Sequence, residues 1–443
     1  MMGGMKCAGC GIESKNEKFF HTVRRTFTSK ARSLCPACFL DKDDAVLKTM
    51  FWSFSGLGLV GLLLVFAFPR LVVGIWLLNI GVVLGVVLAS TVLHEMGHAA
   101  AGTLAGHRMF SIEIGKGATV LEFKWLGVRW RFRTILFGGI VRALPKRRNC
   151  YRVKQSLFIL GGPVATVLLA LIAWKFLWVD KLLEPSPIAG FGPMGIILLS
   201  NSLLLAFSLW PHRGISAHGK IPNDALLLWQ TWRQDRAKIA ATFSYSYLFE
   251  ADECCRDRKF TDAQKWLGEG LCAFPGNHLL AFSAATTLIF ENKLDEARNA
   301  LRALLTELAD DPNLFPLLLN NIAYVDALLG RPELLPEADD FSRRALESAP
   351  WTVYFKGTRG IVLVELGRFE EGVALLEDAL RKHPEKWGKA INACYLGIAA
   401  TRRGYPSECL SYFAMARRLD PHCPLLDREK KPPSNALSPS TGG

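Results

Sequence analysis

Residues 71 to 93, LVVGIWLLNIGVVLGVVLASTVL, hold no charged side chain, and the next residues bring His94, Glu95 and His98. As a helix rising about 1.5 Å per residue, the run spans roughly 35 Å, enough to cross a hydrocarbon core about 30 Å thick. Three more runs have the same character: 51 to 68, 156 to 179 and 188 to 210. The expected architecture is an α-helical polytopic membrane domain with about four transmembrane helices, all before residue 211. With 50% of its 443 residues hydrophobic, the chain is too apolar for an ordinary soluble protein.

Charge sets the orientation. The net charge is +13, and residues 106 to 155 alone hold twelve Lys or Arg against two acids, Glu113 and Glu122. The positive-inside rule makes that loop and the basic N-terminal segment cytoplasmic. Four crossings then return the C-terminal part to the cytoplasm, with Pro69-Arg70 and the 180 to 187 turn on the other side. A cleaved signal peptide is not expected, because a polar segment with four cysteines precedes the first apolar run.

Four units are expected: a Cys-containing head over 1–48, the membrane domain over 49–229, a helical domain over 236–425, and a disordered tail over 426–443. In the head, Cys7-x2-Cys10 and Cys35-x2-Cys38 have the spacing of a zinc ribbon. In a cytoplasmic segment too poor in large apolar residues to fold unaided, these thiols are expected to hold one structural Zn2+. The alternatives are a flexible basic arm or a redox pair. The head has few aromatics among its basic residues beyond Phe19, Phe20 and Phe27, so no nucleic-acid partner is expected.

In the helical domain, prolines recur at 275, 312, 350, 384 and 421, spaced by 37, 38, 34 and 37 residues. That period belongs to helical-hairpin repeats, and the last two units resemble tetratricopeptide (TPR) repeats, with Gly360 and Gly397 in their first helices and Ala379 and Ala416 in their second. An all-α TPR-like solenoid presents a groove to another protein, so this region implies a protein partner.

On a helix, positions i and i+4 share a face, so His94 and His98 can hold one metal while Glu95 reaches a water beside it. Ionisable groups at membrane depth cost several kcal/mol unless paired or hydrated, which makes this a candidate catalytic site. A catalytic zinc takes three protein ligands. Asp224, opening the apolar stretch after Pro222-Asn223, is one candidate for the third; it also suits the N-cap of that helix, and His212 or His218 can instead supply a nitrogen. The alternating segment ATVLEFKWLGVRWRFRTILFGG reads as interfacial strands, either an edge for an unwound substrate or a hairpin held to anionic membrane lipid.

The H-E-x-x-H at 94 to 98, the GGIVRA at 138 to 143 ahead of the GGP at 161 to 163, and the series Asn201, Pro211, Asp224 together resemble the site-2 protease family, zinc metalloproteases that cut within membranes. The resemblance covers about residues 71 to 229. It implies a metalloendopeptidase with His94, His98 and Asp224 on one catalytic Zn2+, Glu95 as general base and Asn201 as an assisting amide. It further implies a transmembrane protein substrate and regulated intramembrane proteolysis near the cytoplasmic face. The chain departs from the family in placing Ala225, not Gly, after the aspartate, and in its longer approach to that aspartate. The competing reading is a catalytically inactive membrane scaffold that recruits proteins through its repeats.

Overall fold

A computed structural model describes residues 5–14, 21–23, 32–68, 71–182, 192–216 and 219–430. Phe19, Phe20, Phe27, the Pro69-Arg70 turn, the 183–187 part of the second turn, His218 and the tail from 431 lie outside the described residues. The chain divides into two compact units: residues 40–250, and residues 1–39 together with 251–443.

The membrane unit is built on helices. Helix α1 (Pro36–Ala67) starts fifteen residues before the apolar run and continues into it without a break. Helix α2 (Val72–Leu104) extends beyond its apolar run, because nothing in LHEMGHAAAGTL stops a helix until Gly106, whose φ is +78°. From Val72 to His94 is roughly 33 Å at helical rise, so the histidines sit near the far end of the span. Helix α3 (Tyr151–Lys175) carries Pro163 inside it, and the short α4 (Trp178–Leu182) follows. Helix α5 (Pro193–Leu209) is equally apolar but only 17 residues long, about 26 Å. Three helices, α1 over Ala45–Ala67, α2 and α3, are thus long and apolar enough to cross a membrane among the described residues.

Small residues set the helix spacing. A Cβ on Gly97 would lie 2.4 Å from the Gly161 carbonyl oxygen, and one on Gly161 would lie 2.3 Å from that of Gly97. Backbone-to-backbone contact therefore fixes how α2 and α3 meet, as close helix packing in lipid requires. Helix α1 meets α2 in the same way, Gly58 against Gly81 and Gly61 against Leu78.

Between α2 and α3 lie β5 (His107–Trp125) and β6 (Val128–Pro145), which follow the four short strands of the head. Residues 111–114 pair with 139–142 on one side and with 129–132 on the other, while 119–125 pairs with 128–133. The long hairpin thus folds back on itself, turning at Gly115 and Gly138 with φ of +93° and +75°, and leaves 119–125 and 139–145 as its edges. One face carries Ser111, Glu113, Arg129, Arg131 and Arg142; the other carries Ile112, Ile114, Phe123, Trp130 and Phe132. Buried Glu113 receives Arg131 at 3.1 Å, Arg133 at 2.7 Å and Arg142 at 3.4 Å. Burial works to raise its pKa, but the Arg133 hydrogen bond and the neighbouring guanidinium charges outweigh it and hold the carboxyl below the ordinary range. The cluster's stabilisation is therefore present at neutral pH and is lost as pH falls through that depressed pKa.

The short β7 (Arg213–Ser216) and β8 (Gly219–Pro222) lead into α6 (Asp224–Arg233). Helix α7 (Arg236–Thr242) and α8 (Ser244–Arg256) follow, with Phe243 against Tyr151 and Phe249 against Phe110.

In the other unit, helical hairpins succeed one another: α9 (Phe260–Ala273) after α8, then α10 (His278–Phe290) with α11 (Leu294–Ala303), α12 (Leu314–Leu329) with α13 (Leu335–Ser348), α14 (Val353–Glu365) with α15 (Phe369–Lys382), and α16 (Lys386–Arg402) with α17 (Pro406–Leu419). Ala263, Ala297, Ala379 and Ala416 are all fully buried where second helices pack, and Gly360 lies against Gly372 and Leu376. These are TPR-like repeats. Lys356 and Lys382 pair with Asp378, at 2.7 and 2.9 Å, and although burial opposes it they hold that carboxyl down to about 2.

Also in this unit, β1 (Met5–Lys6) pairs with β2 (Glu13–Ser14), and β3 (His21–Val23) with β4 (Arg32–Leu34). The turn between β1 and β2 and the start of α1 bring the four head cysteines together.

Candidate metal centre

His94 and His98 leave the same face of α2 and are both buried. Their Nε2 atoms stand 3.2 Å apart. Asp224, at the first position of α6, completes a triangle: Oδ2 lies 3.1 Å from His94 Nε2 and Oδ1 lies 3.5 Å from His98 Nε2. For donors at about 2.0–2.1 Å from a tetrahedral zinc, the edge between ligand atoms is about 3.3 Å. The observed 3.1 to 3.5 Å separations match it.

The surroundings fix which nitrogen faces the triangle. His94 Nδ1 lies 2.8 Å from Thr166 Oγ1, whose own hydrogen goes to the Gly162 carbonyl at 3.1 Å. The hydroxyl is thus left to accept, so His94 carries its proton on Nδ1. His98 Nδ1 lies 2.9 Å from the Phe158 carbonyl, which can only accept, and 3.3 Å from the Gly162 N–H; the shorter contact with the carbonyl favours the proton on Nδ1. Both Nε2 lone pairs then point, with a carboxylate, at one spot. Three acceptors facing each other in a buried place form a ligand set that suits a cation.

Asp224 is steered by two residues that sequence reasoning passed over. Ser208, in the last turn of α5, donates to Asp224 Oδ2 at 2.6 Å. Asn223 is the N-cap of α6: its Oδ1 accepts from Leu226 N and His212 N, each at 3.2 Å, while its Nδ2 donates to the Ser208 and Trp210 carbonyls at 2.8 Å. The alternative of Asp224 as N-cap is thereby corrected. The amide side chain satisfies the helix end, which frees the carboxylate to face the histidines. The order Pro-Asn-Asp holds the signal for this, since Asn caps as well as Asp does. His212 is turned away, its Nδ1 against the Trp210 carbonyl at 2.8 Å. Replacing Asn223 with Ala is expected to weaken zinc binding at the histidines about 10–100-fold with the fold intact, measured by chelator competition.

Two glycines shape the pocket. A Cβ on Gly162 would lie 2.6 Å from His94 Nε2 and 2.3 Å from His98 Nε2. Glu95 is buried, with its carboxyl against the backbone of Gly139, where a Cβ would lie 2.5–2.9 Å from Glu95 Cγ, Cδ and Oε1. Glu95, on the same helix as His94 and His98, thus has its carboxyl against the 139–145 edge strand.

Asn201 is fully buried on α5. Its Nδ2 donates to Ser90 Oγ at 3.0 Å and to the Ile197 carbonyl at 2.9 Å, which ties α5 to α2 one turn before His94. Both amide hydrogens are engaged, and the free atom, Oδ1, is an acceptor. An oxyanion needs a free N–H, and in this arrangement both amide hydrogens tie α5 to α2.

The second cluster is Cys7, Cys10, Cys35 and Cys38, whose sulfurs all lie within 4.8 Å of one another. Cys10 and Cys35 sulfurs are 3.7 Å apart, close to the edge of about 3.8 Å that zinc–sulfur bonds of about 2.3 Å require. Backbone N–H groups of Cys35 and Gly9 donate to Cys7 Sγ at 3.2 and 3.4 Å, as a thiolate favours.

The model of Peptidase family M50 matches residues 82–385. A Chlamydia pneumoniae protein named "Putative zinc metalloprotease" is 24% identical over 161 residues, covering 30% of this chain and 23% of that protein. The chain therefore spans under a quarter of that relative's length. Among solved structures, the chain is similar to PilW, a type IV pilus biogenesis factor (20% identity, 40% of this chain and 77% of that one, TM-score 0.32). It is also similar to YrrB, a TPR protein with an unusual peptide-binding site (16% identity, 42% and 91%, TM-score 0.28), and to MamA from Desulfovibrio magneticus RS-1 (15% identity, 43% and 97%, TM-score 0.29).

Proposed function

The chain belongs to peptidase family M50, and from that premise we propose that it is a zinc-dependent membrane endopeptidase that cuts membrane-anchored proteins inside their spans, near the cytoplasmic face. The observation that carries this reading is the triangle of His94, His98 and Asp224 donor atoms beside buried Glu95, on a helix whose preceding 23 residues carry no charge. In this reading α5 is the fourth crossing, both termini are cytoplasmic, the four head cysteines hold a structural zinc, and the repeats bind a protein that is substrate or regulator.

Zinc at His94, His98 and Asp224 would polarise a peptide carbonyl and make water a nucleophile near neutral pH. The rest falls to the chain's own groups. Thr166 and the Phe158 carbonyl keep the imidazoles aimed, and Ser208 and Asn223 do so for the carboxylate. Glu95 takes the proton of the attacking water and returns it to the leaving nitrogen. A helical span hides its carbonyls in its own hydrogen bonds and must unwind before attack, and the 139–145 edge beside Glu95 offers main-chain groups to an unwound segment. The product is a fragment freed to the cytoplasm, consistent with regulated intramembrane proteolysis.

The test is zinc content and cleavage together. Wild type in detergent should hold two zincs per chain and cut some member of a panel of single-span proteins. Asp224→Ala should hold one zinc and cut none. Two zincs in Asp224→Ala would move the third ligand to another residue.

A further inference from the structure

The geometry points to a metal-dependent clasp: the four-cysteine head docks on the repeat domain through Trp351. This rests on the reading that the four cysteines hold zinc.

The described core of the head is too small to stand alone. Its buried apolar residues are Cys7, Leu34 and Cys35, with Cys38 and Phe39 partly buried around them. One further side chain completes the cluster, Trp351, from the turn between α13 and α14. The largest apolar group on the head's core is thus contributed by a residue more than 300 positions away. Residues 1–39 accordingly fall into one compact unit with the repeats rather than with the membrane helices.

The other side of the clasp is covalent. The Phe39 N–H donates to the Cys35 carbonyl at 2.9 Å, the first hydrogen bond of α1, so Cys35 stands at the start of that helix and Cys38 in its first turn. A zinc with four thiolates carries net negative charge, which the positive end of a helix favours. Helix α1 then runs on to Ala67. Metal is what makes the surface: among the described residues the β1–β2 turn meets β4 and the start of α1 through the four sulfurs, Leu34 and backbone contacts such as Ala8 N–H to the Ser33 carbonyl at 2.9 Å. Without zinc the two halves of the head part, and Trp351 loses the cluster it packs on.

Hydrogen exchange of the full chain in detergent, read beside zinc content, tests this. Reporters in the head are the amides of Cys7, Ala8 and Gly11, and on the repeats those of Thr352 and Lys356, all hydrogen-bonded. Trp351→Ala should keep two zincs yet speed exchange of the head amides about ten-fold or more, while Trp351→Phe retains most of the protection. The double variant Cys10→Ser/Cys38→Ser should lose one zinc and speed exchange at Thr352 and Lys356, with the amides of α14 and α16 cores unchanged. The clasp is overturned by unchanged head exchange in Trp351→Ala, or by loss of the head zinc without effect at Thr352 and Lys356. Retention of both zincs in the double cysteine variant overturns the metal reading, and with it the metal dependence, while leaving the protease reading untouched.

Discussion

Glu95→Gln is expected to keep both zincs and lose cleavage by about 10²–10⁴-fold, the usual worth of a positioned general acid–base group. Glutamine has nearly the shape of glutamate, so it can keep the contact with Gly139 that fixes the side chain. It cannot accept a proton from water or pass one to the leaving nitrogen. The His94, His98 and Asp224 donors are untouched, because their tautomers and aim depend on Thr166, Phe158, Ser208 and Asn223, not on Glu95. Single-turnover cleavage of a span substrate, with zinc counted on the same sample, checks both halves. Cleavage surviving at wild-type rate would remove Glu95 from the chemistry, and loss of zinc would make it a structural support of the site instead.

The sequence displays the metal site unevenly, and the reasons are physical. His94, Glu95 and His98 stand out because their spacing and their apolar setting point the same way. Asp224 is visible as a residue type, but its freedom from capping depends on Asn223 turning its side chain back toward α5, a tertiary contact. Asn201 fits a family pattern, yet the amide hydrogens go to Ser90 and Ile197, and spacing gives no sign of that. The start of α1 is hidden for another reason. Residues 36 to 50, PACFLDKDDAVLKTM, are helical but polar, so an apolar count sees only the stretch from about 51 onward. Alternation in the hairpin reveals strands, whereas the pairing of residues 111–114 on both sides depends on the bends at Gly115 and Gly138. The repeats are read easily, since proline period and small residues act locally. The union of head and repeats through Trp351 leaves no trace in any local pattern.

Gly161 and Gly162 separate two effects that a glycine pair in a membrane helix would otherwise blur. Adjacent residues on a helix point about 100° apart, so one faces α2's backbone and the other faces the imidazoles. Gly162→Ala is expected to lower zinc from two per chain to one and to abolish cleavage, with no large change in thermal unfolding. Its Cβ would come within 2.3 Å of His98 Nε2 and 2.6 Å of His94 Nε2, a distance at which something must move. Retreat of the α3 backbone would give up the close Gly161–Gly97 packing that sets the spacing of α2 and α3. Swinging the imidazoles instead gives up the Thr166 and Phe158 contacts that aim them. Gly161→Ala meets the Gly97 carbonyl at 2.3 Å, so it should lower stability first and metal content only as the helices part. Metal analysis beside thermal unfolding in detergent separates the two. Two zincs retained in Gly162→Ala would mean that no metal lies between the imidazoles and that the convergence of His94, His98 and Asp224 serves packing alone.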